Sequence, residues 1–381
     1  MNLVHITTLY PGYLADFERR HPEAAHLTFA EHRASLYNDA FGWSNYFEKY
    51  LAARGHQTLH LVANYSALQN KWAIENGFTP PSSDASFSII RAQVKAARPD
   101  ILFIEDCYAI PPAKVQAILE DAPSISAVAC NQGIDDNLAA LVPQGALLIT
   151  CSRPLVSSWQ KLGYRAALLR HAFEPAVLQN LPPSYSKHPL TFIGSCSPWI
   201  HPERHSWLKF ITESFPSMEI WTDSFNLPPK TLIRQTLASL ARGRVRRTWS
   251  HFTSPLRQRA HDAVFGLPMY TRLNASLVTL NCHISQSIPS AGNMRLFEAT
   301  GVGACLVTDH RPDLAEIFAP DTEVVTYASS PECIEKIRWL LDHPAQAGEI
   351  ARRGQQRTLQ CHTFAQRALE LEALLLAYLA R

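Results

Sequence analysis

A chain of 381 residues exceeds the roughly 250–300 residues at which a single hydrophobic core stops growing, and so implies two or three domains. Hydrophobic residues make up 46% of it and charged residues 18%, a balance that excludes a disordered or fibrous chain. Lys+Arg number 35 against 33 Asp+Glu, for a formal net charge of +2, so no global field marks the chain for nucleic acid.

At the N-terminus, LVHITTL (Leu3–Leu9) predicts a strand ended by Pro11-Gly12, with His5 inside it as a core histidine. Lacking a basic start and a long apolar run, this terminus reads as a strand and not as a signal peptide. Tyr13–Asn38, polar, aromatic and His-rich, reads as an insertion outside the core. Asp39–Ala63 holds a helix stopped at Gly55 and a strand over Thr58–Val62. Further strands are expected at Ile101–Glu105, Ser126–Cys130 and Ala146–Cys151; helices between them make βαβ units and a parallel sheet.

Pro182–Pro189 has linker composition. Beyond it, Leu190–Gly194, Met218–Thr222, Ser276–Asn281, Ala304–Thr308 and Glu323–Tyr327 read as strands of a second sheet. Helices are expected over Pro202–Phe215 and from Ser330-Pro331, where a capping residue precedes proline. The expected organisation is a domain over 1–181, a second over 190–365, and a C-terminal helix over 366–381 packing back across their junction. Ligands of such open parallel sheets bind beyond the carboxyl ends of the strands, and the cleft between two domains is the default site.

The eight cysteines never approach CxxC spacing and read as reduced, structural thiols in a cytoplasmic protein. No run of about 18 apolar residues offers a membrane span.

The most informative stretch is Ser290–Phe318. Ala291-Gly292-Asn293 is a small-residue turn that opens a helix, Met294–Thr300, closed by Gly301 and Gly303. Free amides at such a helix start suit a phosphate, and Arg295 adds a fork of donors. Glu298, one turn on, can accept two hydrogen bonds from a ribose diol. Spacing alone leaves open an ordinary helix–strand unit in which Glu298 pairs locally.

FGLPMYTRLNASLVTLNCH, GNMRLFEATGVGACLVTD, EVVTY and HTF, spread over Phe265–Leu371, resemble the C-terminal domain of the CgeB-like glycosyltransferases, cousins of the group-one enzymes. FGWSNYFEKYLAARGHQTLHLV resembles, more loosely, the first loop, helix and second strand of a GT-B enzyme. The resemblance implies an α/β chain of GT-B architecture, two Rossmann-like domains with parallel sheets facing a cleft. It also implies a nucleotide-sugar donor as substrate, with no cofactor and no metal. Glu298 falls where the group-one enzymes hold the donor ribose. Gly292, Asn293 and Arg295 fall near the diphosphate and sugar, and Gly194 and Ser195 match the small-residue loop facing the diphosphate. Retaining members carry a second glutamate eight positions earlier; that position here is Ser290, so an inverting course is expected.

An inverting transfer needs a general base for the acceptor hydroxyl. Asp39, before Gly42, and Asp106, at the end of ILFIE, are the candidates; each reads equally as a capping residue. His283 ranks first among the 16 histidines for lining the donor pocket, and His171 is a weaker candidate. Asn131–Asp136 is a polar loop suited to a sugar or a plain turn. ARGRVRRTW (Ala241–Trp249) offers an anionic membrane surface, where lipid-linked acceptors reside, a basic patch from Arg242 to Arg247; a solvated helix face is the bland alternative. The acceptor is expected to be a glycan, lipid-linked or protein group in bacterial surface glycan synthesis. A nucleotide-sugar 2-epimerase and a non-catalytic sugar-nucleotide-binding or structural protein are the competing functions.

Overall fold

The computed structural model describes residues 1–81, 84–134, 137–183, 188–283 and 290–380. The chain forms two compact units: Met1–His171 with Phe364–Arg381, and Ala172–Thr363.

The first unit is built on a six-stranded sheet: β1 (Asn2–Thr7), β2 (Gln57–Val62), β3 (Ile101–Ile104), β4 (Ala127–Asn131), β5 (Leu147–Thr150) and β6 (Arg165–Leu168). The order is β2-β1-β3-β4-β5-β6, and every pairing is parallel. Its central strands are continuous apolar runs, as a sheet covered on both faces requires; Ile101, Leu102, Phe103 and Ile104 are all fully buried. The C-terminal helix Phe364–Leu379 packs on the helix Tyr46–Ala52. Phe364 lies 4.8 Å from the Tyr46 ring and 5.3 Å from the Phe47 ring.

Tyr13–Asn38 does not lie outside the core. It forms two helices, Pro11–Arg20 and Phe29–Asn38, around a short 3-10 turn. Tyr13, Leu14, Phe17, Phe29 and Leu36 are buried. Aromatic and histidine side chains supply the core-facing stripe that leucine and valine supply elsewhere: Phe17 stands 4.7 Å from His21 and 6.1 Å from His32. A complete capping box on Thr28 and Glu31 starts the second helix, a pattern legible as T-x-x-E.

The second unit carries β7 (His188–Ile193), β8 (Glu219–Trp221), β9 (Ala260–His261), β10 (Ser276–Leu280), β11 (Cys305–Asp309) and β12 (Val325–Tyr327). Their order is β12-β11-β10-β7-β8-β9, again all parallel. One core joins Leu190, Phe192, Val278, Leu280 and Val307 to Leu208 and Ile211 of the helix Pro202–Ser214. The helix Ser330–Asp342 is capped by Ser329, one residue earlier than expected, whose hydroxyl accepts from the Glu332 amide. The cysteines are free, and Cys107, Cys130, Cys196, Cys305 and Cys333 are buried. Part of the expected linker (184–187) and Asp135-Asp136 lie outside the described residues.

Candidate functional site

In the second unit β10 lies between β7 and β11, so the carboxyl ends of these three strands are neighbours. The sequence-predicted donor residues gather there. Gly194 and Ser195 leave β7, and Gly194 has φ +156°, a conformation L side chains rarely adopt. The Arg204 guanidinium donates to the Ser195 carbonyl at 2.9 Å and to the Cys282 carbonyl, tying the segment after β7 to the segment after β10. Arg204 sits two residues into the helix Pro202–Ser214, and nothing in local spacing announces that role.

Asn281 and Asn293 clamp the turn before the helix Arg295–Gly301 against β10. The Asn293 amide donates to Asn281 Oδ1 at 2.7 Å, while Asn281 Nδ2 donates to Thr308 Oγ1 at 2.9 Å. Asn293 therefore positions the turn. Ser290 donates its hydroxyl to Asp313 Oδ2 at 2.6 Å, and the Ala291 amide donates to Asp313 Oδ1 at 2.6 Å. A carboxylate thus stands beside position 290 although residue 290 itself is a serine.

His283 lies beyond β10, its side chain almost wholly buried. Its amide and Nδ1 both meet Asp309 Oδ1, at 2.9 and 2.7 Å, and Arg311 Nη2 holds Asp309 Oδ2 at 2.8 Å. Burial pushes the Asp309 carboxyl up, but His283 and Arg311 outweigh it and hold it at about 2. The bond to Asp309 puts a proton on Nδ1. Nε2, itself buried, then has no hydrogen-bond partner among the described residues.

Arg295 and Glu298 face each other one helical turn apart, Nη1 to Oε2 at 2.9 Å. Arg295 also points a nitrogen at Met269 Sδ, 3.1 Å away. Glu298 is 6% exposed; burial raises its pKa, and Arg295 partly offsets that. A buried carboxylate with one charged partner retains acceptor capacity for further donors. Gly292, partly exposed, lies in the turn just before them.

In the first unit Asp39 and Asp106 have separate partners. Asp39, 4% exposed, ends the helix Phe29–Asn38. Arg20 grips both its oxygens, Nη1 to Oδ1 at 2.7 Å and Nη2 to Oδ2 at 2.6 Å. It anchors a loop in which Ala40, Gly42 and Ser44 all have positive φ (59°, 64°, 46°). Two of the three are not glycine, so the loop stores strain. Asp106 is partly exposed; its Oδ1 accepts from the Tyr108 and Ala109 amides at 3.0 and 3.1 Å, and Thr8 donates to Oδ2. His171 accepts from Trp43 Nε1 at 3.0 Å, and burial lowers its pKa to about 4.

Residues 230–373 match a protein family described as glycosyl transferase-like, which encloses the Phe265–Leu371 resemblance. No curated protein matches the chain in sequence. Among solved structures, a sucrose-phosphate synthase from Thermosynechococcus elongatus is 11% identical, with TM-score 0.58 over 100% of this chain and 99% of that one. Anabaena HepE in complex with UDP and glucose is 12% identical, with TM-score 0.56 over 99% and 100%. AviGT4, a glycosyltransferase involved in avilamycin A biosynthesis, is 14% identical, with TM-score 0.57 over 100% and 98%. Two six-stranded parallel Rossmann-like sheets with full-length likeness to these proteins define the GT-B fold.

Proposed function

We propose that this chain is a glycosyltransferase that takes a sugar from a nucleotide-sugar donor. The observation that carries the reading is the ion pair of Arg295 with the buried Glu298 inside the glycosyl transferase-like region. Glu298 accepts from the ribose hydroxyls. Arg295 and the Gly194-Ser195 backbone meet the diphosphate as it leaves, so charge develops against fixed donors. His283, held to Asp309, fixes the segment after β10 beside the donor. Among nucleotides UDP is the first to test, because HepE holds UDP and glucose.

With a serine at position 290, direct displacement with inversion is the favoured course. Asp106 is favoured over Asp39 as base, since Asp106 is partly exposed while Asp39 is buried under Arg20. The acceptor is a hydroxyl of a glycan, lipid-linked or protein group. A membrane-bound acceptor is supported by the helices Pro229–Ala241 and Val245–Thr253, which expose Ile233, Leu237, Val245 and Trp249 beside Arg242–Arg247. Apolar wedges flanked by arginines suit an anionic bilayer surface.

A thermal-shift panel of UDP-, GDP-, dTDP- and CMP-sugars tests the donor, because a ligand stabilises the native state by RT ln(1 + [L]/Kd). One nucleotide class should raise Tm, and a flat response to all four sinks the reading. Incubation with the stabilising sugar nucleotide alone should yield no new sugar nucleotide; its appearance would favour an epimerase.

A further inference from the structure

We propose that His5, His60 and Glu105 form a binding site for a divalent transition-metal ion of the zinc class, buried in the first unit. The site follows from strand register. His5 of β1 pairs with His60 of β2 and with Phe103 of β3, so these three side chains share one face of the sheet. Residues two apart on a strand share a face, and the Glu105 amide continues the β1–β3 pairing by donating to the Ile6 carbonyl at 2.9 Å. Glu105 therefore joins the same row.

One ligand atom from each of the three side chains lies within 4.8 Å of the others. His5 Nε2 and Glu105 Oε2 are 3.2 Å apart. Two ligands about 2.0–2.1 Å from a tetrahedral ion lie about 3.3 Å apart, so this edge already has the required length.

The surroundings orient both rings. His5 Nδ1 meets Glu48 Oε1 at 2.8 Å, the carboxylate–histidine arrangement that steadies metal ligands. His60 Nδ1 meets the Tyr37 hydroxyl at 3.0 Å, and that hydroxyl donates its single proton to the His60 carbonyl at 3.2 Å. Nδ1 of His60 must then carry the hydrogen, which leaves Nε2 as a bare lone pair. His60 is 5% exposed, and this Nε2 has no hydrogen-bond partner among the described residues.

Charge balance favours a dication. Glu48 is 5% exposed and the Glu105 side chain 24%. With neutral imidazoles the cluster carries two negative charges; a proton on His5 cancels one, whereas a divalent ion cancels both. Uncompensated charge in a protein interior is costly. Two imidazoles and a carboxylate suit zinc, cobalt or nickel better than calcium or magnesium. Glu105 is the partly exposed member of the trio. Around the cluster, Arg33 lies toward His60 and His171 toward Glu105.

The test is calorimetric titration of chelator-stripped full-length protein with Zn²⁺ and, separately, Co²⁺. One equivalent should bind and raise the Tm, and Co²⁺ should show tetrahedral visible absorption. Glu48→Gln, which touches no ion, should weaken binding about 10–100-fold. His60→Gln and Glu105→Gln, checked for folding by circular dichroism, should abolish the tetrahedral spectrum. Absence of stoichiometric binding by the wild-type protein would overturn the proposal, as would an unchanged cobalt spectrum in both ligand variants.

Discussion

Replacing Glu298 by glutamine keeps the shape of the side chain but removes its charge. In the parent protein the carboxylate faces Arg295 at 2.9 Å and is 6% exposed, so it is shielded from water and a bond to it is strong. Hydrogen bonds to a charged group contribute about 1.5–3 kcal/mol each. Glutamine retains one acceptor oxygen, so about one such bond to the ribose is lost. Each 1.4 kcal/mol is tenfold in Kd, and donor affinity should fall about 10–150-fold. Glu298→Ala should cost more, and in a second way: it strands the Arg295 guanidinium, 15% exposed, and a buried pair that loses one partner destabilises a fold by about 3 kcal/mol or more. The glutamine variant separates the two effects, because its amide oxygen still accepts from Arg295. Calorimetry with UDP and with the preferred sugar nucleotide reads the affinity, and urea denaturation reads the stability. Because burial raises the Glu298 pKa, the carboxylate should be lost at a higher pH than an ordinary glutamate, and donor affinity should weaken early on acidification. Parent-like affinity in Glu298→Gln would refute the role assigned to this residue.

Three further outcomes are expected. Asp309, held at about 2 against an unfolded value near 3.9, should contribute about 2 kcal/mol of stability, present above pH 4 and lost as pH falls through about 2; Asp309→Asn should remove that contribution in urea titrations at pH 7. Asp106→Asn should lower turnover about 100-fold with donor affinity intact, whereas Asp39→Asn should mainly destabilise the fold by about 3 kcal/mol through loss of the Arg20 pair; parent turnover in Asp106→Asn excludes it as the base. Anionic vesicles should co-sediment the protein and neutral ones should not, with Trp249→Ser and Arg246→Ser/Arg247→Ser each weakening the association; equal sedimentation with both vesicle types would remove the basic patch from the account.

The central strands were legible because a parallel sheet covered on both faces writes itself as apolar runs; ILFI became β3 and SLVTL became β10. The strands missed, β6 and β9, are edge strands. β6 is only partly buried and β9 spans two residues, so neither leaves a continuous apolar signature. Tyr13–Asn38 was misread because its buried stripe is made of aromatic and histidine residues that also occur in polar loops. Within the candidate site, residues close in sequence, such as Arg295 and Glu298, could be read from helical spacing. Arg204, Asp309 and Asp313 could not, since their partners lie 78, 26 and 23 residues away. The same holds for His5, His60 and Glu105, which meet only through the register of three parallel strands.

The most direct test of the donor assignment is a crystal structure of the full-length chain with the nucleotide sugar that stabilises it. The ribose hydroxyls should lie within hydrogen-bonding distance of Glu298, with the diphosphate against Arg295 and the Gly194-Ser195 segment. A nucleotide bound with its ribose away from Glu298 would contradict the account.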